Sequence, residues 1–170
     1  MISRRTLLAA GGGIAALLPA VARGLAATGT RDIVMKGGAN GAHVWFDPAG
    51  IFVLPGQTLR WTNRDNGNSH TATAYHPQYD GRPLRIPEGA APWDSGFLLP
   101  GESFSVTLTV PGVYDYFCLP HEHAGMVGRI VVGKPDREVA EGEAGAIAGI
   151  PTATFPTVDE IMAKHAVRRQ

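Results

Sequence analysis

Three Pro-Gly pairs, Pro55-Gly56, Pro100-Gly101 and Pro111-Gly112, divide the middle of this 170-residue chain into short apolar runs. Proline fixes its own φ and the glycine after it accepts positive φ, the combination that suits type II turns between strands. The run Phe104-Ser105-Val106-Thr107-Leu108-Thr109-Val110 alternates apolar side chains with hydroxyls, as a strand with one buried face does. Strand-like segments recur at 33–35, 43–46, 51–53, 59–61, 70–75, 103–110, 113–118 and 127–132. Many short strands with regular turns, and no convincing helix among them, predict an all-β sandwich of about seven to eight strands. The segment 76–92 interrupts the rhythm with Pro77, Gly81, Pro83, Pro87, Gly89 and Pro92, and reads as a long surface loop.

Chemistry concentrates in 118–126, where the only cysteine, Cys118, is followed by His121, His123 and Met126. An isolated cysteine is more often an inert buried thiol, but a histidine and a thioether at this spacing make a soft metal site. Zinc sites recruit Cys, His and carboxylates, whereas blue copper centres use Cys, two His and a weak axial Met. A second imidazole is available from His70, about fifty residues upstream at the head of a strand-like run, and distant strands of a sandwich are spatial neighbours.

Cys118, His121 at Cys+3 and Met126 at Cys+8, preceded by His70, resemble the ligand pattern of the plastocyanin and pseudoazurin branch of the cupredoxins. The resemblance extends through 53–61, 99–104 and 128–132 and spans residues 28–133. It implies a Greek-key β-sandwich in which His70, Cys118, His121 and Met126 hold one copper ion cycling between Cu(I) and Cu(II). With no coordination position left for a substrate, it implies an electron carrier and not an enzyme. The azurin branch places its loop histidine at the offset of His123, but Met126 at Cys+8 favours His121. The residue after the first histidine is often Asn in this family, and here it is Thr71, so Asn68 and Thr71 are both candidates to brace the loop. Pro120 has no N–H to give, which removes one possible donor to the cysteine sulfur. His43, His76 and His165 read as surface or satisfied histidines, and Trp45, Trp61, Phe52, Phe104 and Phe117 as core.

The N-terminus reads Ser3-Arg4-Arg5-Thr6-Leu7-Leu8, then a mild apolar stretch containing Gly11 to Gly13, then small residues to Ala26. This is the pattern of a twin-arginine export signal, and the apolar run is short for a bilayer-spanning helix. The expected organisation is a signal over 1–26, a copper-binding domain over 27–133 and a C-terminal extension over 134–170. That extension opens with a Gly/Ala-rich run too poor in large apolar residues for a core of its own. Near its end Thr157, with Glu160 three residues on and apolar residues at 158, 161, 162 and 166, predicts a short capped helix.

Loss of Arg4, Arg5 and Arg23 with the signal leaves 12 basic and 15 acidic residues, net −3. Such mild acidity argues against a nucleic-acid partner. The sequence therefore points to a monomeric periplasmic electron carrier that meets protein redox partners transiently. It has no small-molecule substrate, and touches a membrane only if the signal is retained as an anchor. A copper carrier is the alternative binding role, although the three methionines of the mature chain are scattered at 35, 126 and 162. An electron-feeding subunit of a copper oxidase or reductase would need its catalytic centre on another chain.

Overall fold

A computed structural model of the chain describes residues 29–38, 41, 43–134, 147–151 and 154–169. The expected signal over 1–26 and most of the Gly/Ala-rich run lie outside the described residues. Among the described residues nine strands form: β1 (Thr30–Gly37), β2 (Val44–Asp47), β3 (Gly50–Val53), β4 (Gln57–Asn63), β5 (Thr73–Ala74), β6 (Ser103–Leu108), β7 (Gly112–Phe117), β8 (Val127–Val132) and β9 (Ala166–Val167). One sheet runs in the order β2-β1-β4-β6 and the other β5-β7-β8-β3-β9. Both are mixed, since β1 pairs with β4 and β3 with β8 in parallel while the remaining pairs are antiparallel. The layers enclose a core that includes Ile33, Phe46, Leu59, Trp61, Tyr116 and Ile130, together with Cys118 and Met126. Burying aromatic and branched side chains between two sheets supplies most of the driving force for such a fold.

The expected strand over 70–75 is mostly not a ladder. Only Thr73 and Ala74 pair with β7, and His70 makes a single bridge to Leu98. The reason lies in where the backbone donors go: Thr71 N–H points at Cys118 Sγ and Ala72 N–H at Ser95 Oγ. Side chains thus take the hydrogen bonds that a neighbouring strand would otherwise accept.

The loop after β5 is anchored at several points. Arg85 N–H donates to Tyr75 O, and Arg85 O accepts from Asp115 N–H, so the chain runs beside the sheet edge there. The predicted C-terminal helix is present as α1 (Val158–Lys164), with Thr157 Oγ1 accepting the Glu160 N–H at 3.1 Å. Its buried Val158 and Ile161 pack on Val131. The strand after it, β9, pairs with β3 and so extends the second sheet. Among the described residues no helix is long and apolar enough to cross a membrane.

Candidate metal centre

The hairpin between β7 and β8 carries Cys118, His121 and Met126. Its connection is a short 3₁₀ turn, Leu119–Ala124, with Pro120 in the first turn, where a missing N–H costs nothing. Gly125 closes it at φ +83°, a conformation that glycine adopts without strain. Cys118 N–H donates to Met126 O, His121 N–H to Cys118 O, and Met126 N–H to His121 O, at 3.0, 3.0 and 3.1 Å. Backbone bonds therefore join all three residues to one another.

His70 enters from the other side. His70 Nδ1 lies 3.6 Å and His121 Nδ1 3.5 Å from Cys118 Sγ, and the three donor atoms all fall within 4.8 Å of one another. A single ion with metal–ligand bonds of about 2.0–2.3 Å spaces trigonal donors at roughly these separations. Two imidazoles and a thiol, with a buried thioether in the same core cluster, form the donor set that suits copper. His70, Cys118 and Met126 are fully buried, while His121 is only partly so.

Burial pushes the Cys118 thiol up to about 11, against the N–H groups of Thr71 and His121 that favour the thiolate. The thiol therefore keeps its proton at neutral pH until a metal displaces it. Burial lowers the pKa of His70, with Asp65 opposing, and burial with the nearby His70 lowers that of His121. Both rings are thus neutral near pH 7 and can offer a lone pair.

Asp65 fixes which lone pair His70 offers. Its Oδ2 sits 3.0 Å from His70 Nε2, so that nitrogen carries the proton and Nδ1 is left free to face the sulfur. Burial alone would raise the Asp65 pKa, but donors from Asn68, Gly67 and His70 bring it below the usual carboxylate range. Gly37 lies directly beneath the carboxylate, and a Cβ there would overlap it. Asp65 carries no ligand signal in the sequence, since Asp, Asn and Gly in succession are common turn residues. The Gly67 N–H to Asp65 Oδ1 bond shows that it is indeed a turn, with the other carboxylate oxygen turned inward.

The two bracing candidates divide the task. Thr71 Oγ1 accepts the Leu119 N–H at 2.8 Å while its own N–H reaches Cys118 Sγ at 3.3 Å, so it joins the His70 segment to the metal loop. Asn68 instead holds Asp65, donating to Oδ2 at 2.8 Å. Glu122, which likewise carries no such signal in the sequence, is buried within the 3₁₀ turn, where it accepts from Tyr75 Oη at 2.8 Å and pairs with Arg82 at 2.7 Å. His123 is exposed and lies outside the donor cluster. Of the remaining histidines, His43 packs on Trp45, His76 Nδ1 accepts the Gln78 N–H, and His165 stacks on Phe52.

The family model described as copper binding proteins, plastocyanin/azurin family, matches residues 33–133. A chloroplastic plastocyanin from Oryza sativa subsp. indica is 35% identical over 75% of this chain and 80% of its own length. A pseudoazurin from Paracoccus pantotrophus is 36% identical over 70% of this chain and 72% of its own. A chloroplastic plastocyanin from Hordeum vulgare is 36% identical, and the match spans 62% of its length. Among solved structures, a Sinorhizobium pseudoazurin superposes with a TM-score of 0.51 at 30% identity, covering 72% of this chain and 87% of the other.

Proposed function

Because the chain belongs to the plastocyanin/azurin family of copper-binding proteins, we propose that it is a blue copper electron carrier whose ion is held by His70, Cys118, His121 and Met126. The convergence of two imidazole nitrogens on one buried thiol sulfur carries this reading. Copper in such a site supplies one chemical step, the gain or loss of a single electron. The protein's part is to keep that step cheap. Asp65 and Thr71 hold the His70 side, the loop backbone holds Cys118 and His121, and burial excludes water. The donors therefore have little freedom to rearrange when the charge changes.

His121 is the donor nearest solvent, flanked by exposed Leu119 and Pro120, and a redox partner would dock over that edge. Encounters of this kind are small and transient. The twin-arginine segment supports a location outside the cytoplasm, in the periplasm, with 27–133 as the copper-binding domain. One copper per chain and a reversible one-electron wave in voltammetry are the expected results. Irreversible or multi-electron behaviour contradicts the carrier role.

The two residues that shape the electrostatics of the site give predictions of definite sign. Asp65→Asn keeps the shape of the side chain but removes a buried negative charge one imidazole away from the metal, which favours the more positive ion. The reduction potential is expected to rise, and an unchanged midpoint in voltammetry contradicts a role for that charge. Pro120→Ala adds an N–H beside a sulfur that already accepts from Thr71, and a further donor stabilises the reduced centre. The potential is again expected to rise. A midpoint equal to that of the parent shows that the new N–H bonds elsewhere.

A further inference from the structure

The family match ends at Gly133, yet the chain beyond it returns to the metal loop. The loop is flanked by Phe117 immediately before Cys118 and Val127 immediately after Met126. Both are buried in one cluster with Ile147, Ile150 and Phe155 of the extension. At the rim, Arg169 Nη1 donates to Gly125 O at 3.0 Å. The extension also lies against that rim: a Cβ on Gly149 would stand 3.4 Å from His123 Nδ1, and one on Gly125 3.6 Å from Thr154 Cγ2, ordinary van der Waals distances. The Phe155 ring makes cation–π contacts with Arg85 and Arg129, whose guanidinium carbons stand 5.1 and 5.2 Å from its centre.

We infer that residues 147–151 and 154–169 form a positioning element of the metal centre, with Phe155 bracing the two ends and Arg169 the rim of the 118–126 loop. Opening of this loop would withdraw three of the four proposed donors from the metal. Local opening has its own free energy, set by the apolar burial and hydrogen bonds that opening must break. Phe155 and Arg169 add to that energy without touching the ligand atoms. The guanidinium-to-carbonyl bond belongs to the stronger, charge-assisted class.

The test uses the full chain with Arg169→Gln, Arg169→Lys and Phe155→Ala. Amide hydrogen exchange is followed on the metal-free protein at His121, Gly125 and Met126, with β4 and β6 amides as internal controls. Transfer of Cu(I) from the loaded protein to an excess of a chromogenic chelator is measured in parallel. In Arg169→Gln the loop amides and the copper transfer are both expected to accelerate on the order of tenfold, the effect of losing one charge-assisted bond. The β4 and β6 amides should keep their parent rates, and Arg169→Lys should recover part of the loss. Phe155→Ala should act in the same direction; if it fails to fold, Arg169→Gln decides, since Arg169 lies outside the core.

Loop exchange and copper transfer within twofold of the parent overturn the inference, as does equal acceleration of all amides. The copper measurement rests on the ligand assignment proposed above, whereas exchange in the metal-free chain does not, so failure of one is distinguishable from failure of the other. Faster loop exchange with unchanged copper transfer would refute the link to the metal centre.

Discussion

Cys118→Ser is expected to remove the intense visible absorption of the copper-loaded protein completely and to weaken Cu(I) binding by more than any other single substitution. The thiolate is the only strong soft donor in the site, and a hydroxyl at the same position is hard and keeps its proton at all ordinary pH values. Loss of an outer partner at a metal site typically costs about 10–100-fold in affinity, and loss of a ligand should exceed that. Cys118 is fully buried in the core, so the near-isosteric serine leaves the packing almost intact. Visible spectra and a competition titration with a Cu(I) chelator check both parts. A variant that retained the band would show that the sulfur is not a copper ligand.

The largest effect on stability is expected away from the metal atoms. Asp115, three residues before Cys118 on β7, accepts from Arg85 Nε at 2.9 Å and from Arg129 Nε and Nη2 at 2.7 and 3.0 Å. All three side chains are nearly fully buried. Arg129 also donates to Pro156 O at 3.1 Å, which links the triad to the C-terminal extension. Asp115→Ala leaves two guanidinium groups in the interior without their shared anion, a change that costs about 3–5 kcal/mol in comparable buried pairs. Against the roughly 5–15 kcal/mol stability of an ordinary domain, that is a large fraction. Urea denaturation of the metal-free protein measures it through the midpoint. A shift corresponding to less than about 1 kcal/mol would show that water reaches the triad and screens it.

Much of the site was legible in the chain because a metal centre limits both residue type and spacing. His70, Cys118 and His121 do converge, and the sulfur separations of 3.5 and 3.6 Å fit what the donor chemistry requires. The turns were legible for a similar reason, since few residues tolerate the backbone they need. Gly56 and Gly101 take φ +87° and +89°, as a glycine after proline in a type II turn does. The C-terminal helix followed from its cap, because the Thr157 side chain bonds the N–H three residues on.

Contacts set by distant pairing were less legible. Asp65 looks like turn chemistry in sequence, and only the packing over Gly37 aims its second oxygen at His70. Glu122 sits in a polar-looking loop, and its burial depends on Tyr75 and Arg82, both more than 35 residues away in the chain. Arg169 carries no local signal at all. Its partner is a backbone carbonyl, which any residue could provide. The shortening of the 70–75 strand has the same origin, because the donors that would have built a ladder serve a sulfur and a serine hydroxyl.

The central proposal is that His70, Cys118, His121 and Met126 would together hold one copper ion, with the Cys118 thiolate as a ligand. Electron paramagnetic resonance of the chain loaded with one equivalent of Cu(II), recorded with its visible spectrum, tests it most directly. A narrow copper hyperfine splitting together with an intense blue band is the predicted result. A wide splitting with a pale spectrum would mean that the ion is bound by ordinary nitrogen and oxygen donors, and the proposed centre would be wrong.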